Sequence, residues 1–92
     1  MVGYSHDKQD LVKRLARIEG QVRGISRMVE DERYCVEILD QVSAIKKGLE
    51  KVSLSLLRSH FDHCVADALQ NSKKDGREKI DEVLLVVERL IK

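Results

Sequence analysis

The chain has 92 residues with 17 basic and 16 acidic side chains, a formal net charge of +1, and neither proline nor tryptophan. A chain of this length holds one small core, so a single domain over residues 1–92 is expected, and association with further copies would complete that core. No apolar run approaches the roughly 20 residues of a membrane-spanning helix, and the N-terminal sequence lacks the order of a signal peptide, so a cytoplasmic protein without a membrane partner is expected.

The first predicted helix covers residues 7–30. Its apolar residues recur at alternating spacings of four and three, the period of an amphipathic helix; they are Leu11, Leu15, Ile18, Val22, Ile25 and Val29. From Lys13 to Arg27 there are five basic residues against one acidic residue. A nearly neutral protein can therefore present one basic face, although such a face is also ordinary solvated helix surface.

The second predicted helix covers residues 34–71 and would be about 57 Å long. Its apolar residues follow the same period and shift register after Leu56; they are Cys35, Ile38, Val42, Ile45, Leu49, Val52 and Leu56, followed by Leu57, Phe61, Val65 and Leu69. The short "EDER" connection predicts an antiparallel hairpin with the first helix. Because the first helix is shorter, it cannot cover the whole apolar face of the second helix. A second copy of the chain is the simplest partner for the remaining part of that face.

A third helix is predicted over residues 76–91, after the polar break "NSKKDG". One stripe of this helix is apolar and contains Ile80, Val83, Leu84, Val87, Leu90 and Ile91. The fold class is therefore all-α. The sequence contains no helix-turn-helix signature, no phosphate loop, no nucleophile–His–Asp set and no Glu-x-x-His motif, so enzymatic activity is not expected.

His60 and Cys64 are four residues apart, which places them on one helix face. A deprotonated thiol and an imidazole both bind soft or borderline metals. Taken alone the pair is a weak signal, because a packed cysteine beside a solvated histidine has the same spacing. His63 points about 100° away from Cys64 on a helix and is interpreted as solvated.

Cys35 lies 25 residues before His60, or about 37 Å along one helix. If two copies of the long helix cross antiparallel, Cys35 of one chain can face His60 and Cys64 of the other, twice per dimer. The two-fold axis then falls near Gly48, where the missing side chain would allow close contact. Two thiolates and one imidazole favour Cu(I); Zn(II) usually takes a fourth ligand, for which His63 or His6 is available.

Three segments together give the chain a specific resemblance: "RLARIEGQVRGI", "DERYCVEILDQVSAIKKGLEKV" and "SHFDHC". The chain resembles the copper-sensitive operon repressor family over roughly residues 8–90. The resemblance implies a three-helix protomer that pairs into an antiparallel four-helix-bundle dimer, assembled as a dimer of dimers. The Cys35, His60 and Cys64 set matches the copper(I) subgroup, with one Cu(I) per protomer bridging two chains. Tyr34 and Glu82 match positions that couple the metal site to the rest of the fold.

The resemblance also implies the function, a copper(I)-sensing transcriptional repressor. The metal-free form would bind operator DNA, and Cu(I) would release it and derepress copper efflux or homeostasis genes. The expected DNA contacts are basic residues of the first two helices: Lys13, Arg14, Arg17, Lys46, Lys47 and Lys51. Arg14 and Lys51 occupy basic, DNA-contacting positions of the family, although the second is commonly Arg there.

Other inducers are possible within the same family resemblance. Nickel and cobalt sensors carry His where this chain has Cys64, together with an N-terminal His. In this chain His6 is available for the N-terminal position. Zinc is a further candidate inducer. Persulfide sensors cross-link two cysteines, which Cys35 and Cys64 could do. Formaldehyde sensors use an N-terminal proline, which this chain lacks. A metal-buffering protein without a DNA role is the rival from another class.

Overall fold

The computed structural model describes residues 4–91, and every regular element in that range is helical. In chain order the elements are a 3-10 turn at Ser5–Asp7, helix α1 at Lys8–Glu30, helix α2 at Cys35–Ser59, a π-helical turn at His60–Val65, helix α3 at Ala66–Asn71 and helix α4 at Lys73–Leu90. Because α2, the π turn and α3 follow one another without a break, they correspond to the second predicted helix, and the all-α prediction is confirmed. None of the helices in the described range is long and apolar enough to cross a membrane.

The start of the third predicted helix was wrong by three residues, because α4 begins at Lys73 rather than at residue 76. Ser72 is extended (φ −166°, ψ 158°), and its hydroxyl accepts a hydrogen bond of 3.0 Å from the backbone N–H of Asp75. This N-cap satisfies one of the donors that a helix start leaves free. The break predicted over "NSKKDG" is thus confined to Ser72, and Gly76 is a buried residue of the first turn of α4.

The connection between α1 and α2 is a Schellman turn built on Glu32. The backbone N–H of Arg33 donates to the carbonyl of Met28 at 2.9 Å, and that of Glu32 donates to Val29 at 3.1 Å. Glu32 has a φ of 55°, a left-handed conformation that glycine usually adopts at this position. The turn satisfies the last carbonyls of α1 and determines the residue at which α2 starts.

Contacts divide the described chain into two compact units, one of residues 7–54 and one of residues 55–91 with residues 4–6. In the first unit, Leu11 and Ile18 of α1 form the core with Val52 and the partly buried Ile45 of α2. Leu11, near the start of α1, therefore belongs to the same core as Val52, near the end of α2. The two helices run antiparallel, which confirms the predicted hairpin.

Gly48 has a different neighbour from the one predicted for it. A Cβ atom built on Gly48 would lie 3.4 Å from Cδ1 and Cγ1 of Ile18 in the same chain. The missing side chain therefore accommodates α1 of its own hairpin, and the argument that Gly48 makes room for the helix of a second chain is not supported.

The apolar seams of α1 and α2 divide into a covered and an uncovered set at seven-residue spacing. The covered positions are Leu11, Ile18 and Ile25 on α1, with Ile38, Ile45 and Val52 on α2. The alternate positions, which we call the uncovered flank, are exposed: Leu15, Val22 and Val29 on α1, with Cys35, Val42 and Leu49 on α2. The hairpin thus buries three of the covered residues, Leu11, Ile18 and Val52, and half-buries the other three.

In the second unit, α4 packs against α3 and against the π turn. Its buried side chains include Val65, Ala68 and Val83. Phe61 and Leu69 of the seam predicted after Leu56 are exposed in the single chain. The π turn shifts the register of the helix and brings Ala68 rather than Leu69 into the core.

Candidate metal centre and DNA-binding face

His60 and Cys64 both lie in the π turn, and both side chains are half-buried. The backbone N–H of Ala66 donates to the carbonyl of Phe61, five residues earlier, which is the hydrogen bond of a π-helix. Single π turns inside α-helices occur frequently at functional sites. The sequence carried a signal for this turn: the steps of four from Leu57 through Phe61 and Val65 to Leu69 are longer than the 3.6 residues of an α-helical turn.

Cys35 is the first residue of α2, and its reduced side chain is exposed on the uncovered flank. The carbonyl of Tyr34 accepts hydrogen bonds from the backbone N–H groups of Glu37 at 3.0 Å and Ile38 at 3.4 Å, which starts the helix. Arg33 donates to Oε2 of Glu37 through Nε at 3.1 Å and through Nη2 at 2.7 Å. The Tyr34 ring is exposed as well, so a partner can reach both Tyr34 and Cys35.

Of the three predicted metal ligands, Cys35 belongs to the unit of residues 7–54, whereas His60 and Cys64 belong to the other unit. Among residues 4–91, no group of three or more His, Cys, Asp or Glu side chains is close enough to hold a metal ion. Two histidines that the sequence analysis named separately lie beside each other. The imidazole rings of His6 and His63 lie with their centroids 4.9 Å apart and their planes tilted by 45°.

Glu82 lies on α4, the helix that packs against the π turn. Its carboxylate Oε2 is 3.7 Å from Nζ of Lys79, one helical turn earlier, and both side chains are largely exposed. An exposed ion pair of this kind contributes little stability. Glu82 can therefore change partners at small cost.

The predicted DNA contacts all belong to the unit of residues 7–54, and all are exposed. They are Lys13, Arg14 and Arg17 on α1, with Lys46, Lys47 and Lys51 on α2. Within residues 4–91 the ion pairs join Arg23 to Glu19, Arg33 to Glu37 and Lys79 to Glu82, so none of the six takes part in one. Their charges are available to an anionic partner.

Comparison with known proteins identifies the family of the chain. Residues 7–89 match the family model described as metal-sensitive transcriptional repressor. The copper-sensing transcriptional repressor CsoR of Bacillus subtilis is 49% identical over 88 residues, which are 96% of this chain and 85% of that protein.

Two solved structures of metal-responsive regulators are similar to this chain in fold and sequence. The copper-sensing repressor CsoR with Cu(I) from Geobacillus thermodenitrificans superposes with a TM-score of 0.88 at 43% identity, over 96% of this chain and 90% of that one. The nickel-responsive transcriptional regulator InrS superposes with a TM-score of 0.73 at 34% identity, over 88% and 89%. The resemblance inferred from the sequence motifs is confirmed, and the chain belongs to the family of metal-sensitive transcriptional repressors.

Proposed function

We propose that the protein is a cytoplasmic copper(I)-sensing transcriptional repressor with no enzymatic activity, which binds operator DNA without metal and releases it when Cu(I) binds. The observation that carries the proposal is the ligand set of Cys35, His60 and Cys64, two of which occupy one π turn. Soft thiolates select Cu(I) among the first-row metals. The Cu(I)-bound CsoR structure supports the same ion.

Each copper site would combine ligands of two chains. Cys35 and His60 are separated by about 37 Å of helix, whereas Cys35 is exposed and available to a partner. In an antiparallel pair of long helices, Cys35 of one protomer faces the π turn of the other, so a dimer holds two equivalent sites and one Cu(I) per protomer.

The uncovered flank supports the dimer that this site requires. Leu15, Val22, Val42 and Leu49 are each between 44% and 48% exposed, and they follow the seven-residue repeat of a helix-packing seam. Burial of such a stripe against a second copy would form an antiparallel four-helix bundle. We extend the assembly to a dimer of dimers by analogy with the family.

The basic residues of α1 and α2 would bind the phosphates of operator DNA. Lys13, Arg14 and Arg17 lie within about one turn of each other on α1, as do Lys46, Lys47 and Lys51 on α2. Arginine binds phosphate with two donors, whereas lysine acts as a point charge. Two protomers related by a two-fold axis would present these faces to a palindromic operator.

Release of the operator would follow from movement of the ligand-bearing segments. Tyr34 immediately precedes α2 and Cys35 is its first residue, and α4, which carries Glu82, packs against the π turn. Drawing Cys35 toward the π turn of the partner would shift the start of α2 and reposition the basic residues. By linkage, DNA must weaken Cu(I) binding by the factor by which Cu(I) weakens DNA binding.

Anaerobic titration of Cu(I) into the protein–operator complex tests the proposal, with fluorescence anisotropy of the DNA as the measurement. One Cu(I) per protomer should release the wild-type protein, whereas Cys64→Ser should stay bound at the same free Cu(I) concentration. Equal titrations with Ni(II), Zn(II) and a persulfide donor cover the other inducers. Release by one of these and not by Cu(I) would overturn the choice of copper, and retention of DNA with every inducer would overturn the sensing mechanism.

A further inference from the structure

The ring pair of His6 and His63 lies apart from the Cys35, His60 and Cys64 set. Both residues belong to the same compact unit, with His6 in the 3-10 turn at Ser5–Asp7 and His63 in the π turn. His6 is exposed and His63 is half-buried, so ligand atoms of the pair are accessible from solvent.

The geometry of the pair fits two nitrogen ligands of one ion. Zn–N bonds of 2.0–2.1 Å in a tetrahedral site place the two nitrogens roughly 3.3 Å apart. The ring centroids are 4.9 Å apart and the planes are tilted by 45° rather than stacked. A centroid distance of 4.9 Å is short enough for one nitrogen of each ring to bind the same ion after the rings rotate about their side-chain bonds.

We propose that His6 and His63 form a second metal site, which binds a borderline divalent ion such as Ni(II) or Zn(II). Imidazole suits these ions, whereas the thiolates of the first site select Cu(I). Water would complete the coordination, because the described residues contain no group of three or more side-chain ligands. This site goes beyond the proposed function and does not depend on it.

The two sites can be filled independently. His63 and Cys64 are neighbours in sequence, and neighbouring residues on a helix point in different directions from its axis. Cys64 and His63 therefore serve different ions, and Cys35 takes no part in the second site.

Ni(II) is a suitable probe because its unpaired electrons broaden the NMR signals of the imidazoles that bind it. The experiment uses the full chain with Cys35→Ser and Cys64→Ser, which removes both thiolates. Ni(II) should broaden the signals of His6 and His63 more strongly than those of His60, which lies in the same π turn. In that background His63→Asn should raise the Ni(II) dissociation constant at least about tenfold, the lower end of the cost of losing support at a metal site.

His60→Asn is the matched control, since it removes a histidine of the same π turn and should leave Ni(II) affinity unchanged. The proposal is overturned if His60→Asn weakens Ni(II) binding as much as His63→Asn, or if neither does. A second measurement does not depend on the cysteine variants: wild-type protein loaded with Cu(I) should still bind Ni(II) with broadening of His6 and His63, and absence of broadening contradicts the site. Operator release by Cu(I) is measured separately and should survive in His63→Asn, so the two proposals can fail independently.

Discussion

Arg14 and Arg23 lie on the same helix and differ in their partners. Arg23 forms an exposed ion pair with Glu19 at 3.3 Å, whereas Arg14 takes part in none of the ion pairs among residues 4–91. A guanidinium that no carboxylate neutralises attracts phosphate more strongly than a paired one. Substitution of each of these two arginines therefore tests whether Arg14 contacts DNA or is ordinary helix surface.

Arg14→Ala should weaken operator binding and reduce the salt dependence, measured as the slope of log affinity against log salt concentration, by about 1, the value for one lost phosphate contact. Anisotropy titrations at several salt concentrations give both quantities. Arg23→Ala should leave them unchanged, and Cu(I) affinity should be the same in both variants. A loss of Cu(I) affinity in Arg14→Ala would show that Arg14 has a structural role instead.

Glu32 adopts a conformation that costs a residue with a Cβ atom about 1–2 kcal/mol. Glu32→Gly removes that cost but gains freedom in the unfolded chain, worth about 0.4–1 kcal/mol. The net stabilisation should therefore lie between zero and about 1.6 kcal/mol, and each 1 kcal/mol raises Tm by roughly 4–8 °C in a domain of this size. Asp31→Gly is the control for thermal unfolding. Asp31 has an ordinary φ of −82°, so glycine relieves no strain there and this variant should be less stable than the wild type. Equal shifts in both variants would contradict the argument.

At the scale of elements, the contact of α3 with α4 depends on Gly76. A Cβ atom on Gly76 would overlap the Leu69 side chain and lie 3.1 Å from the Leu69 Cα. Gly76→Ala should therefore lower stability, because overpacking costs about 1–3 kcal/mol and outweighs the helix propensity gain of about 1 kcal/mol. Thermal unfolding followed by circular dichroism measures the difference.

Gly24→Ala is the matched control, since a Cβ atom there meets nothing within 4 Å. It should stabilise α1 by about 1 kcal/mol through helix propensity alone. If both alanine variants are stabilised, the tight contact between Gly76 and Leu69 does not limit the packing of α4.

The elements with a strong apolar period could be predicted, and those that depend on local hydrogen bonds could not. The apolar period predicted the ends of α1 and of the long second helix to within one residue. Burial of one apolar stripe outweighs the helix propensities of individual residues. The start of α4 was missed because Gly76 was counted as a breaker, although the spacing of Ser72 and Asp75 is that of a cap. The π turn was missed because an α-helical period was assumed throughout.

For the site, the residue types and their spacing on one helix indicated a metal centre, and the family is confirmed. The roles of Cys35, His60 and Cys64 stay a prediction, since their arrangement depends on a second chain. The pair of His6 and His63 gave no sequence signal, because a contact between residues 57 positions apart depends on tertiary folding.

At the scale of the whole molecule, we proposed the uncovered flank as the dimer interface. A charged side chain placed on this flank should therefore prevent the dimer from forming. Leu49 is 45% exposed in the protomer, so Leu49→Asp should cost the hairpin little and the proposed dimer much, through burial of an unpaired carboxylate. Sedimentation velocity should show a monomer where the wild type is a dimer or tetramer.

Leu54→Asp is the control for sedimentation, because Leu54 is 58% exposed and points about 140° away from Leu49 on the helix. It should keep the wild-type dimer. A dimer that persists in Leu49→Asp would show that the uncovered flank is not the interface. Loss of Cu(I)-dependent DNA release together with the dimer would support a site shared between chains.

The π turn makes the chain sensitive to a change of length by one residue. Deletion of Asp62 would let α-helical hydrogen bonds run from Cys35 to Asn71, but His60 and Cys64 would then be three positions apart. A substitution in "SHFDHC" changes one side chain, whereas loss of a single codon changes the spacing of His60 and Cys64 and removes the π turn that presents them. We therefore expect insertions and deletions to be excluded from this segment among functional variants, even at positions where the residue type is free to vary.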